Sequence, residues 1–318
     1  MDTSSNVVED LVVQTTNCGQ VHVHVLGDHK HASHHAVFLT VHDFGGNGRS
    51  FDNFVTHPCL SEARPRSVWI NFELPGQGPN SPDIPLSYKY PSLQEICDDL
   101  VEVLDQLKVQ YVIGFGEGAG ANILARFAMA HPTRVLGLIL IHPTATAAGL
   151  SEWVKHKLPA HKIGQQNRDG GSEYLSDLLS KINIKNLQQY TDLFLSRNDI
   201  SGQLKDHLTC DTLIICGRES PLEQSVVSMY THMNPQKSSI LIIDNVADVL
   251  YDSPEQVARA LLLFCKGLGL LTSVSTPADR ARISQVSQGG PARRRISMQE
   301  ADLPRRQSTS SPPSGYGK

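Results

Sequence analysis

The feature that most narrows the fold is the stretch Tyr111-Val112-Ile113-Gly114-Phe115-Gly116-Glu117-Gly118-Ala119-Gly120-Ala121-Asn122-Ile123-Leu124. A short apolar run breaks at glycines, and small and apolar residues then recur at helical spacing. That pattern specifies a buried strand, a very tight turn and a helix. The same alternation runs through most of the chain. Ala36–Val41, Ser67–Phe72, Val135–Ile141, Thr212–Cys216 and Ser239–Ile243 are nearly continuous apolar runs, as strands buried on both faces of a parallel sheet must be.

The connecting segments fit this plan. Leu11–Thr16 and Gln20–Leu26 flank the turn Asn17-Cys18-Gly19 and predict an antiparallel hairpin with one wet face. Ser92-Leu93-Gln94-Glu95 reads as a capping box, and Ile96, Leu100, Val103, Leu104 and Leu107 repeat at three and four after it. Val226–His232 and Pro254–Phe264 supply further helices, the second with Pro in its first turn and Gly267 and Gly269 beyond its end. Between about 144 and 206 the alternation weakens. There Glu152–Lys157, Tyr174–Leu179 and Ile184–Phe194 read as helices, which predicts a helical cap over the strand ends. The expectation is an α/β-hydrolase fold over 8–270: a mostly parallel central sheet, helices on both faces, a small helical cap insertion at about 144–206, and a disordered Ser/Thr/Arg-rich tail over 271–318.

In that fold the tight turn is the nucleophile elbow, Gly-x-Ser-x-Gly, and a triad follows in the order nucleophile, acid, base. Gly116 and Gly120 are the flanking glycines, and Gly118 stands where the serine belongs. The acid position, after the strand ending at Cys216, falls on Ser220 within Gly217-Arg218-Glu219-Ser220-Pro221. The base position before the last helix falls on Ala247, and no histidine follows His232. General acid–base and covalent catalysis need these groups together. Their joint replacement predicts that catalytic residues are absent and that Gly118, Ser220 and Ala247 are vestigial. A remnant pocket would be lined by His42, Asp43, Gly45, Glu117, Gly118 and Ala119, the first three from the loop that supplies an oxyanion-hole N–H in such hydrolases.

His22, His24 and the run Asp28-His29-Lys30-His31-Ala32-Ser33-His34-His35 raise the question of a metal. No acidic or cysteine partner at ligand spacing completes a site, so the run from Asp28 to His35 is expected to be a solvated loop between strands, and no metal or cofactor is expected. The six cysteines have neither paired nor metal-like spacing, which fits reduced thiols in the cytosol. The N-terminal residues read as no signal peptide. The net charge of −4 hides an asymmetry. Beyond residue 270, eight basic and three acidic residues give about +5 and leave about −9 on the body, which argues against nucleic acid as a partner.

His42-Asp43-x-Gly45, Pro75-Gly76-Gln77, Tyr88-Lys89-Tyr90-Pro91-Ser92-Leu93, Gly116-x-Gly118-Ala119-Gly120-Ala121-x-Ile123-Leu124-Ala125-Arg126, and Trp153 with His156-Lys157-Leu158 together resemble the N-myc downstream-regulated (NDRG) family over about residues 8–270. The resemblance implies a catalytically deficient α/β-hydrolase-fold protein of the cytoplasm, acting in signal transduction, stress response or differentiation, with a tail phosphorylated by basophilic Ser/Thr kinases. Arg294-Arg295-Ile296-Ser297 and Arg305-Arg306-Gln307-Ser308 place arginines two and three residues before a serine, and Arg280-Ala281-Arg282-Ile283-Ser284 is a looser version. Phosphates on Ser284, Ser297 and Ser308 would cancel the tail's positive charge and could release it from the acidic body or from a membrane or lipid surface, and protein partners are expected as well. Two other readings stay open: an esterase of altered mechanism using Glu117, Glu219 or Asp248, and a small-molecule or lipid sensor using the vacated pocket.

Overall fold

The computed structural model describes residues 8–30, 35–147 and 181–274. Strands β1 (Val8–Gln14), β2 (Gln20–Leu26), β3 (Ala36–Val41), β4 (Ser67–Phe72), β5 (Val112–Glu117), β6 (Val135–Ile141), β7 (Asp211–Gly217) and β8 (Ser238–Ile243) form one eight-stranded sheet in the order β1-β2-β4-β3-β5-β6-β7-β8. The pairs β1–β2 and β2–β4 are antiparallel and the rest are parallel. The helices are α1 (Asp52–Thr56), α2 (Leu93–Gln106), α3 (Gly118–Ala130), α4 (Ile184–Leu195), α5 (Ser201–His207), α6 (Glu223–Thr231), α7 (Val249–Asp252) and α8 (Pro254–Gly267). The α/β-hydrolase fold read from the sequence is the fold observed.

The strand pleat sorts the core into two layers. Val37, Leu39 and Val41 of β3 face α2 and α3, while Ala36 and Phe38 face α1 and α8. On the second side Phe38 stacks on Trp69 with ring centroids 4.1 Å apart, and Phe51, Phe54 and Phe115 complete an aromatic block. Helix α2 starts where its sequence says it should: Ser92 Oγ accepts from Glu95 N–H, and the Glu95 carboxylate accepts from Ser92 N–H. Its buried Asp99 then accepts the N–H groups of Asn17 and Cys18, fixing the β1–β2 turn against the helix.

Three helices carry no usable periodicity and go unread in the sequence: α1 and α7 span about one turn each, and α5 about two. The expected cap helices at Glu152–Lys157 and Tyr174–Leu179 lie outside the described residues, as do Ser284, Ser297 and Ser308.

Residues 31–34 of the histidine-rich loop lie outside the described residues, and His24 departs from the wet strand face that the alternation of β2 predicts for it. His24 is buried, its Nδ1 2.7 Å from Asp10 Oδ1 and its Nε2 3.2 Å from Asp52 Oδ2, the latter at ion-pair distance but off hydrogen-bond direction. Arg49 Nη2 reaches the other Asp10 oxygen at 2.7 Å, and His29 folds against Glu9 at 3.8 Å. The acidic partners come from β1 and α1, far from His24 in sequence. Among the described residues these groups form no metal site. Asp52 first, and Asp10 with it, raise the His24 pKa against its burial; the His24 ring in turn lowers that of Asp10.

The sign of the pH effect follows. His24 contributes stability below its ordinary 6.5 and loses it as pH rises through the higher folded value; Asp10 contributes above its ordinary 3.8 and loses it as pH falls. The melting advantage of the wild type over His24→Asn is therefore expected to be largest between those limits and to shrink as pH rises into the alkaline range. Thermal melts followed by circular dichroism check this; an advantage that grows over that range contradicts it.

Candidate functional site

Strand β5 ends at Glu117, and the chain enters α3 through Gly118 at φ +53°. That left-handed value is the strained geometry of a nucleophile elbow. The turn is thus retained in full backbone form. Two of its glycines have distinct reasons. A Cβ on Gly120 would lie 2.0 Å from Val41 O, so only glycine lets α3 approach the end of β3. A Cβ on Gly118 would instead meet the Asp43 carboxyl group, at 2.3 to 2.5 Å from its three atoms.

Asp43 is therefore the occupant of the space a serine side chain would need. Its Oδ1 accepts the Ala119 N–H at 2.9 Å. In a working hydrolase that N–H, from the residue after the nucleophile, is half of the oxyanion hole. Here it is spent on an internal carboxylate.

The loop carrying Asp43 is held from several sides. His42 Nε2 accepts the Leu74 N–H at 3.2 Å, which leaves the ring proton on Nδ1, donated to Asp43 O at 2.8 Å. The Gly46 N–H also reaches Asp43 O, and Gly45 takes φ +69° to close the turn. From above, Tyr190 of α4 donates its hydroxyl to His42 O at 3.1 Å, and the Phe44 ring packs on Tyr190 and Phe194 at 4.8 and 5.1 Å. Burial drives the Tyr190 phenol pKa upward, so it remains a donor. Asn186, one turn earlier on the same face, donates Nδ2 to Gly76 O and Pro82 O and accepts the Ile84 N–H. Asn186, Tyr190 and Phe194 recur at every fourth residue, so the sequence shows the face but not what it covers.

A second anchor ties α3 to the chain after α4. Buried Arg126 donates Nε to Asn122 Oδ1, Nη1 to Asn198 Oδ1 and Nη2 to Asn198 O at 2.6 to 2.8 Å, while Asn122 donates to Thr144 O. Burial lowers the Arg126 pKa. Neither anchor was singled out from the sequence, since each joins residues far apart along the chain.

The remaining positions do other work. Ser220 Oγ accepts the Leu222 N–H at 3.3 Å, within the turn after β7. Ala247 lies in the loop after β8, whose Val246 O accepts the Glu219 N–H. Asp248 caps α7 by accepting from Leu250 and Tyr251, and the Glu219 side chain is exposed. Glu117 Oε1 lies 3.9 Å from Nδ1 of buried His142, whose Nε2 accepts the Gly217 N–H at 3.3 Å. Burial opposes a charge on that ring, whereas Cys216 and Glu117 favour one and pull its pKa upward. The amide donor at Nε2 holds the neutral tautomer against that pull.

Sheet order, elbow and two helical layers define an α/β-hydrolase fold. An esterase from Thermogutta terrifontis has the same architecture, at a TM-score of 0.65 and 16% identity over 82% of this chain and 99% of that one, a likeness of fold alone. The model of the Ndr family matches residues 11–167 and 160–272, and the chain belongs to that family. It is 38% identical over 328 residues to "Uncharacterized protein ZK1073.1" of Caenorhabditis elegans, covering 97% of each chain. It is 30% identical over 271 residues to Protein NDRG2 of Homo sapiens, covering 79% of this chain and 73% of that one. No helix among the described residues is long and apolar enough to cross a membrane.

Gly118→Ser is expected to cost about 2–4 kcal/mol, from left-handed strain and from overpacking against Asp43, or roughly 5–10 °C in Tm. Combined with Asp43→Ala, it should recover at least about 1 kcal/mol of that loss in a double-mutant cycle. Gly120→Ala should not be rescued, because its obstacle is backbone. Thermal melts of these variants test the assignment; additive costs at positions 43 and 118 contradict it.

Proposed function

We propose that this protein is a non-enzymatic member of the Ndr family, a cytoplasmic signalling or adaptor protein that works by binding other proteins. The observation that carries the proposal is the Asp43 carboxylate seated over Gly118 on the Ala119 N–H. An acyl-transfer enzyme needs a nucleophile and a free oxyanion donor at that point. This chain offers a glycine and a donor already engaged by an anion. The carboxylates of the esterase reading have other employment: Asp248 caps a helix, Glu219 faces solvent and Glu117 sits beside His142. The same carboxylate and the packing of Tyr190 and Phe44 weigh against a small-molecule sensor at the elbow.

Roles in stress response, differentiation and signal transduction rest on the family. Regulation rests on the tail, where Ser284, Ser297 and Ser308 follow arginines in the pattern that basophilic kinases read. Each phosphate adds about −1.5 to −2 charges, enough across the three to bring the tail to about neutral and alter its hold on a protein or lipid surface.

Purified protein is expected to hydrolyse no member of a broad ester panel above the buffer rate, and Gly118→Ser to restore none. Turnover abolished by Glu117→Gln or Asp248→Asn would overturn the proposal. Phosphate mapping from cells is expected to find Ser297 or Ser308 occupied; both empty under every condition of kinase stimulation removes the regulatory part.

A further inference from the structure

A nucleophile, a base and an acid do meet in this chain, at the layer that α1 and α8 form on the side of the sheet opposite α3. His57 follows α1 and opens a short 3-10 turn, Pro58–Leu60. Its Nδ1 lies 2.9 Å from Cys59 Sγ and accepts the Cys59 N–H at 3.3 Å. An amide cannot give up its proton, so Nδ1 is the unprotonated nitrogen, within reach of a thiol that donates to Pro254 O at 3.7 Å. The ring proton then sits on Nε2, which faces Glu255 Oε1 of α8 at 3.8 Å. This is the order of an activated nucleophile: thiol to imidazole to orienting carboxylate.

Accessibility separates Cys59 and Cys210 from the four buried thiols, and of these two only Cys59 has a histidine beside it. Cys18, Cys97, Cys216 and Cys265 are buried, and burial pushes Cys265 up to about 12. Cys210 is half-buried, and burial holds it at about 11. Cys59 is half-buried beside a His57 side chain that is 33% exposed.

We propose that Cys59 is a covalent modification site, which His57 activates towards low-molecular-weight disulfides of the glutathione type and Glu255 serves by orienting the imidazole. Cys59 S–H gives its proton to His57 Nδ1 as the sulfur attacks one sulfur of the disulfide. The disulfide bond breaks, a protein–glutathione mixed disulfide forms, and the leaving thiolate takes the proton from His57. One thiol and one disulfide enter, and one of each leaves. Burial, and after it the Glu255 charge, raise the Cys59 pKa, with the N–H groups of Cys59 and Leu60 pulling the other way. The resting group is thus a thiol whose reaction depends on the neighbouring base.

The test is incubation of the full chain with oxidised glutathione across a pH series, read by intact mass and peptide mapping. One glutathionyl group is expected on Cys59. His57→Gln should slow it by about tenfold or more near neutral pH and change the pH dependence of its rate. Glu255→Gln, a change at a side chain 67% exposed, keeps the test open if His57→Gln does not fold, and should slow the reaction and alter its pH profile. An adduct on Cys210 in place of Cys59, or a Cys59 adduct whose rate and pH profile neither variant changes, overturns the proposal.

Discussion

The hydrogen bond from Ala119 N–H to the Asp43 carboxylate is the constraint on which the rest of the site depends. The first N–H groups of a helix have no partner within it and must find one elsewhere. In a hydrolase of this fold, water or the developing oxyanion fills that need in turn. Here a side chain fills it permanently, and Gly118, with no Cβ, is the residue that leaves room. Glycine at the elbow and aspartate in the loop after β3 are two halves of one arrangement. The glycine at the elbow thus has a structural reason in the space that Asp43 fills.

The cap helix follows from the same arrangement. Once Asp43 faces inward, the loop from His42 to Gly46 has to be held in one shape, and its outer surface becomes something to pack against. Tyr190 reads the His42 carbonyl, Phe44 fills the gap between Tyr190 and Phe194, and Asn186 ties the helix to the chain around Gly76 and Pro82. Arg126 and Asn198 fasten the elbow helix to the chain just beyond α4. Helix α4 and the elbow are thereby one packed unit, more like a core than a gate.

Much of this fold was legible because its signals are local. β2, β3 and β4 run where period-two or continuous apolar patterns put them, and Ser92 with Glu95 marks the start of α2 to the residue. The elbow was legible from glycine spacing, and Asp43 was named as a neighbour of Gly118. What the chain order hides is direction and partnership. Pairing of β3 with β5 aims Asp43 at the elbow, and nothing in the residues around Asp43 reveals that. His24 looked solvent-bound beside other histidines, yet β1 and α1 bring Asp10 and Asp52 to it from 14 and 28 positions away. Arg126 and Asn186 were hidden for the same reason: burying a polar side chain requires partners that only the assembled sheet supplies.

The central claim is that the elbow is closed by the protein's own carboxylate. Because Ala119 lies in the first turn of α3, its amide has no partner in the helix, and Asp43 alone accounts for any protection it shows. Amide hydrogen exchange at Ala119, compared between wild type and Asp43→Ala, tests this most directly. The account predicts slow exchange in the wild type and a rise of at least about tenfold in the variant, while amides in the middle of α3 keep their rates. Equal Ala119 exchange in the two proteins would contradict it.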